Sequence, residues 1–273
     1  GPRRTEDRAL LQSLRAPLPY GLRLTLVGGR MYDGRAGFTA ALGSLLAAVR
    51  GEPVLALDGS PVGGALEQCL VEGRNPASWK EFAALPDGAS YEQIRARTTV
   101  LPAGLEVVAH HRYLTFRVNP SHPQEYMRVL GLTAPYYSFV LTDWNGELDG
   151  GGGSGGSGGG GGSGADVVLN HTDRLLVFAR TGQLAEADRI LAGLRHSGRD
   201  ELSAGLLLVV TEPLRSGASD PATVAESAGI RPDQVVIVPR ELQAPYRFWD
   251  LEQLPPDTVR GLLTVAKLLV TGG

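Results

Sequence analysis

Lysine is all but missing from this chain. Lys80 and Lys267 are the only two in 273 residues, so the basic side chains are almost all arginine. Cysteine is scarcer still: Cys69 stands alone, which excludes an internal disulfide and any multi-cysteine metal site and fits a reducing cytosol. Neither sign of charge dominates. A formal net charge of -3 gives no chain-wide electrostatic grip on nucleic acid or anionic lipid, and leaves only a local basic patch for such a role. No apolar run approaches the ~20 residues that span a bilayer, and the opening GPRRTEDRALL does not read as a secretory signal. The expected location is cytoplasmic, with membrane and nucleic acid disfavoured as partners.

What is present is enough apolar material, 42% of residues, to fill a sizeable core. The apolar runs Leu22 to Val27, Val54 to Leu57, Leu105 to Ala109, Tyr137 to Leu141, Arg174 to Ala179, Gly205 to Thr211 and Gln234 to Pro239 read as buried strands. Helical patterns fall between them: Phe38 to Arg50, Gly64 to Val71, Ala77 to Leu85, Pro123 to Leu130, Leu184 to His196, Pro221 to Ala228 and Pro256 to Leu269. Such alternation predicts an α/β fold, doubly wound, with a mostly parallel sheet and helices on both faces. Residues 1 to 20 form an N-terminal arm, with an amphipathic helix and turn over Arg3 to Leu18, and residues 21 to 273 form one domain. That domain is interrupted by Gly150 to Gly164, GGGGSGGSGGGGGSG, a flexible coil whose ends lie roughly 20 Å apart on average. This segment reads as a natural low-complexity insert or an engineered substitute for a disordered loop, and the continuity of its flanks favours the second.

In an open parallel sheet, ligands sit beyond the carboxyl ends of the strands. The loop after the first strand leads into a helix whose free N–H groups favour an anion. Its sequence, Arg30 to Gly43, is RMYDGRAGFTAALG. This segment resembles the deviant phosphate-binding loop of the MinD/ParA family of P-loop ATPases, whose pattern is K-G-G-x-G-K-[ST]-[ST] followed by a helix. Aligned through Ala41, Leu42 and Gly43, the resemblance puts Arg30 on the signature lysine, Gly34 on the glycine before the phosphate lysine, and Arg35 on that lysine. Met31 and Tyr32 fall where two glycines belong, which should crowd the cradle, and Ala36 falls on the magnesium-coordinating hydroxyl and has no oxygen. Arg35 keeps the charge but replaces a compact ammonium with a planar fork.

Other segments extend the resemblance over nearly the whole chain outside the glycine-rich stretch. Val54 to Pro61, VLALDGSP, is similar to the second-strand motif, where an aspartate at Asp58 would arrange the attacking water and Ser60 stands at a common acidic or amide position. Phe139 to Gly146, FVLTDWNG, is similar to the strand whose terminal acid acts on magnesium through water, which would be Asp143. Val235 to Pro239 resembles the strand and loop bordering the adenine, and Thr211 and Glu212 stand where an asparagine often reads the base. Tyr126 to Leu130 and Pro255 to Val270 look like helices of actinobacterial members, including ATPase-like domains of type VII secretion proteins.

The residues themselves give blander readings beside these. Arg35 reads as a surface arginine on a loop that has lost its ligand sooner than as a phosphate contact, and Arg35→Ala is then expected to leave folding unchanged. Asp58 and Asp143 read as vestigial acids that cap a helix or pair with an arginine. His110, His111 and His122, with Glu106 and Glu125, invite a metal site, but adjacent strand residues point to opposite faces, so none is expected. Tyr246, Arg247, Phe248 and Trp249 are the residue types of interface anchors and are the candidates for partner binding. The resulting expectation is a catalytically degenerate domain that needs no cofactor and binds protein partners, with homodimerisation a further option. Its rival is a nucleotide switch or ATPase that uses ATP and magnesium, with Arg30 and Arg35 in place of the two lysines.

Overall fold

The computed structural model describes residues 2–29, 34–59, 66, 79–109, 123–144, 148, 164–214, 217, 219–240 and 250–272. Eight strands form one sheet: β1 (Leu22–Gly28), β2 (Val54–Asp58), β3 (Thr99–Val100), β4 (Glu106–Val108), β5 (Phe139–Trp144), β6 (Arg174–Arg180), β7 (Leu207–Pro213) and β8 (Val235–Arg240). Their order is β3-β4-β2-β5-β1-β6-β7-β8, and every pairing is parallel except the β3–β4 edge. The expected doubly wound α/β architecture is therefore present. The sequence expectation missed β3, a strand of two residues that is too short to show a period.

Strand alternation sorts the core into two layers. Leu24, Leu26, Ala56, Leu141, Phe178, Val209 and Val238 face α2 (Arg35–Arg50) and α10 (Pro256–Thr271). Leu55, Leu57, Val140, Val177 and Val210 face the other way, towards α3 (Trp79–Ala83), α5 (Pro123–Thr133), α6 (Gly164–Asn170), α7 (Leu184–His196) and α9 (Pro221–Ala228). Continuous apolar strands are what a sheet covered on both faces requires. The two short helices α4 (Tyr91–Arg95) and α8 (Asp200–Gly205) complete the described set, α4 starting on a capping box between Ser90 and Gln93.

The element that matters most for the site is α2. It begins three residues before the apolar periodicity does, because Gly34 takes a left-handed conformation (φ 94°) and turns the chain straight into the helix. Thirteen of its sixteen residues are buried, so its Ala and Leu side chains pack on nearly all sides rather than along one stripe. Gly43 permits the closest approach, since a Cβ there would lie 2.8 Å from a methyl of Leu105. The arm, α1 (Pro2–Leu14), lies across α2 and α10, with Leu14 fully buried and its C-terminal carbonyls at Leu14 and Ala16 accepting from Arg50 at 2.6 and 2.9 Å. Among the described residues no helix is long and apolar enough to cross a membrane.

Candidate functional site

The carboxyl ends of β1, β2, β5, β6 and β8 surround the N-terminus of α2. Period-2 alternation sends the side chains of Asp58, Asp143, Arg180 and Arg240 to the α2 face, in step with Ala56, Leu141, Phe178 and Val238. Asp58 and Asp143 are direct neighbours in the β2–β5 register, and both are buried. The Gly59 N–H donates to the Asp143 carbonyl at 2.9 Å, and the Trp79 indole N–H donates to the Asp58 carbonyl at 2.7 Å, which fixes both strand ends.

Arg35, the first residue of α2, is not a surface arginine. It is 2% exposed, and its Nε donates to Asp143 Oδ1 at 2.6 Å, while Asp143 is 0% exposed. The expectation of a solvent-facing side chain is overturned by this geometry: the N-terminus of α2 points into the sheet crevice, so a long cation there must be buried against an acid. The expectation that Arg35→Ala leaves folding unchanged falls with it, because removing one partner strands a buried charge. Asp143 Oδ2 has no hydrogen-bond partner among the described residues. The pairing of an acid with an arginine was one of the two roles read for Asp143 in the sequence.

Of the loop residues that would hold the magnesium and ATP the fold implies, those from Gly34 onward are described. Ala36, which the sequence resemblance aligns with the magnesium-coordinating hydroxyl, is buried and has no oxygen to offer a metal, and Arg35, aligned by the same resemblance with the phosphate lysine, is paired with Asp143. Among the described residues no group of three or more His, Cys, Asp or Glu could hold a metal ion. Glu106 is committed elsewhere: it accepts from Tyr137 Oη at 2.6 Å, Tyr91 Oη at 2.5 Å and Thr98 Oγ1 at 3.2 Å, with Arg95 Nε at 3.6 Å. It begins β4 at the end of the strand away from α2's start, and it ties α4 and the β3 edge to the sheet. Burial pushes the Tyr91 hydroxyl up to about 12, helped by the Glu106 carboxylate, and raises Tyr137 for the same two reasons.

Several expected site residues lie outside the described residues: Arg30, Met31, Tyr32, Ser60, Cys69, the histidines at 110, 111 and 122, and the anchor candidates Tyr246, Arg247, Phe248 and Trp249. Two residues that sequence reasoning passed over are at the site. Arg240 ends β8 and Arg180 ends β6; a Cβ on Gly34 would lie 2.2 Å from Arg240 Nη1 and 3.7 Å from Arg180 Nη2. Their signal was available, since each follows an inward apolar residue by two positions at a strand's carboxyl end. Below them Gly34, Phe38, Phe178, Val238 and Leu262 line a cavity of about 20 Å³.

A parallel sheet in this order, with α2 leaving β1 into a crevice at the strands' carboxyl ends, is the architecture of ParA/MinD-type P-loop proteins. A ParA family ATPase from Chlorobium tepidum superposes with a TM-score of 0.70 at 15% identity, covering 90% of this chain and 98% of that one. MinD of Aquifex aeolicus in its complex with MinC gives 0.64 at 14% identity over 93% and 97%, and apo McdA of Cyanthece gives 0.60 at 14% over 92% and 100%. No protein-family model matches the chain. In sequence, the chain is 31% identical over 121 residues to the ESX-1 secretion-associated protein EspI of Mycobacterium tuberculosis (strain H37Rv), a match covering 44% of this chain and 18% of that protein. The chain thus spans about a fifth of the length of the curated relatives it matches.

Proposed function

We propose that this chain is a pseudo-ATPase: a ParA/MinD-type scaffold retired from nucleotide chemistry that serves as a protein-binding adaptor. The observation that carries the reading is the Arg35–Asp143 ion pair at 2.6 Å, buried on both sides. It joins the side chain in the phosphate-lysine position to the acid in the magnesium position, so each neutralises the other in the place of their ligands. Ala36 removes the loop's metal oxygen as well. Buried in this way, the pair rigidifies the crevice, and recognition falls to the surface. The neighbours' titles include a MinC:MinD complex, which supports protein partners for a scaffold of this kind. The partial match to an ESX-1 secretion-associated protein supports type VII secretion in an actinobacterial cytoplasm as the setting. Tyr246, Arg247, Phe248 and Trp249 are the proposed partner contacts, and a homodimer made by direct side-chain contacts is the proposed self-association.

One observation favours the rival. Asp58 and Asp143 stand side by side in register, and Asp143 Oδ2 lacks a hydrogen-bond partner among the described residues, which supports a reading in which the two act together on a bound nucleotide. Phosphate release from ATP with magnesium, followed together with molar mass by light scattering, separates the two. The adaptor reading expects release at the level of the protein-free blank and the same mass in ATP and ADP. Release that exceeds the blank and falls to it in Asp58→Asn would establish the switch instead.

A further inference from the structure

On the side of the sheet away from α2, a groove of about 380 Å³ lies between the end of α5 and the loop that joins α3 to α4. Acceptors in its lining are unused. Helix α5 ends at Thr133, and Pro135, which stands four residues after Gly131, has no N–H to return to it. The Tyr136 and Tyr137 N–H groups both donate to the Thr133 carbonyl, at 3.0 and 3.1 Å, so the carbonyls of Gly131 and Leu132 accept no hydrogen bond among the described residues. Both residues line the groove. So does Asp87, which accepts from Arg128 Nη1 through Oδ1 at 2.6 Å and is otherwise open, its side chain 91% exposed. We propose that this groove takes a guanidinium, the arginine side chain of a protein partner.

Two carbonyls and a carboxylate are what a group with donors only requires, and a guanidinium has five donors in one plane. Arg128 does not fill that role itself, because its Nε donates to the Ala83 carbonyl at 2.6 Å, its Nη1 to Asp87 and its Nη2 to the Leu85 carbonyl. It fastens the loop to α5. The Asp87–Arg128 pair is neutral in sum, so the partial negative charge at the end of α5 sets the sign of the groove. A Cβ on Gly131 would meet no atom within 4 Å, which leaves the helix backbone open to an incoming side chain. One turn back on the same helix face is Met127, 50% exposed, one of two large apolar side chains so exposed among the described residues. Tyr136, held by its hydroxyl on the Ala89 carbonyl at 2.9 Å, adds an aromatic wall suited to a cation. An arginine with an apolar neighbour therefore fits this lining better than an acidic segment. The inference goes beyond the adaptor reading, since the groove lies away from the α2 crevice and fills whether or not nucleotide binds there.

The test is NMR titration of the full chain with acetyl-Leu-Arg-Ala-amide, the same peptide with citrulline in place of arginine, and acetyl-Leu-Glu-Ala-amide, following the Gly88 and Gly131 amides and the Met127 methyl. Citrulline keeps the shape of arginine and loses its charge. The expected result is a saturable shift with the arginine peptide, binding weaker by about tenfold or more with citrulline, and no shift with glutamate. Asp87→Asn should weaken the arginine peptide by about tenfold. Gly131→Leu places its side chain in open space, so it should leave the fold intact and abolish binding by filling the groove. No saturable shift with the arginine peptide, a citrulline or glutamate peptide that binds as tightly, or unchanged affinity in either variant would overturn the site.

Discussion

Arg35→Ala is the perturbation whose outcome the geometry constrains most tightly. The substitution removes the cation 2.6 Å from Asp143 Oδ1 and leaves a carboxylate that is 0% exposed without its counter-charge. Breaking a buried pair from one side costs roughly 3–5 kcal/mol, because the remaining charge keeps its desolvation penalty and loses its compensation. For a chain of this size that is a fall in Tm on the order of 10 °C. The assay is urea unfolding followed by tryptophan fluorescence, read as a lower midpoint at constant slope. The second arm of the cycle replaces both partners with apolar groups, Arg35→Met with Asp143→Leu. That double variant should be near neutral or more stable than the wild type, by up to about 4 kcal/mol, since two desolvated charges are exchanged for packing. A loss below about 1 kcal/mol for Arg35→Ala, or a double variant that loses the sum of the two singles, would refute the claim that the pair is buried and mutually dependent.

Three further outcomes follow from the same geometry. Gly21→Ala should cost about 1–3 kcal/mol in urea unfolding, because the new Cβ would lie 2.4 Å from the backbone carbonyl oxygen of Tyr137, which cannot swing aside; a neutral result would place that strand entry elsewhere. Glu106→Ala should destabilise by several kcal/mol, as the hydroxyls of Tyr91, Tyr137 and Thr98 lose one shared charged acceptor, with Glu106→Gln costing less; hydrogen exchange should show the loss first in α4 and β3. Tyr91 and Tyr126 are both pushed up to about 12, mainly by burial, so their neutral forms are favoured by folding. Their contribution is fully present below the unfolded value near 10 and is lost as pH rises towards 12, so ultraviolet titration should show delayed tyrosinate formation that coincides with alkaline unfolding.

The sheet was legible because seven strands lie in apolar runs of four to seven residues bounded by turns and helices. Their ends fell within three residues of the observed ones, as at Val54–Asp58 and Val235–Arg240. What escaped had little period to read: β3 has two residues, and α4, α6 and α8 have five, seven and six. The start of α2 was placed late at Phe38, since Arg35, Ala36 and Gly37 carry no apolar rhythm and only the left-handed Gly34 marks the boundary. At the site, alternation could place Asp58 and Asp143 on one face. The Arg35–Asp143 pair joins residues 108 apart and depends on which strand inserts beside β1, which chain order does not decide. Arg180 and Arg240 were passed over because their meeting point, Gly34, belongs to a different part of the chain.

The central claim is that the Arg35–Asp143 pair closes this crevice to nucleotide. Calorimetric titration of the wild type with ATP and ADP, each with and without magnesium and beside a thermal-shift control, tests it directly. No heat and no thermal shift are predicted under any of the four conditions. Saturable binding at micromolar to low millimolar concentrations, dependent on magnesium and lost in a folded Arg35→Met/Asp143→Leu variant, would contradict it.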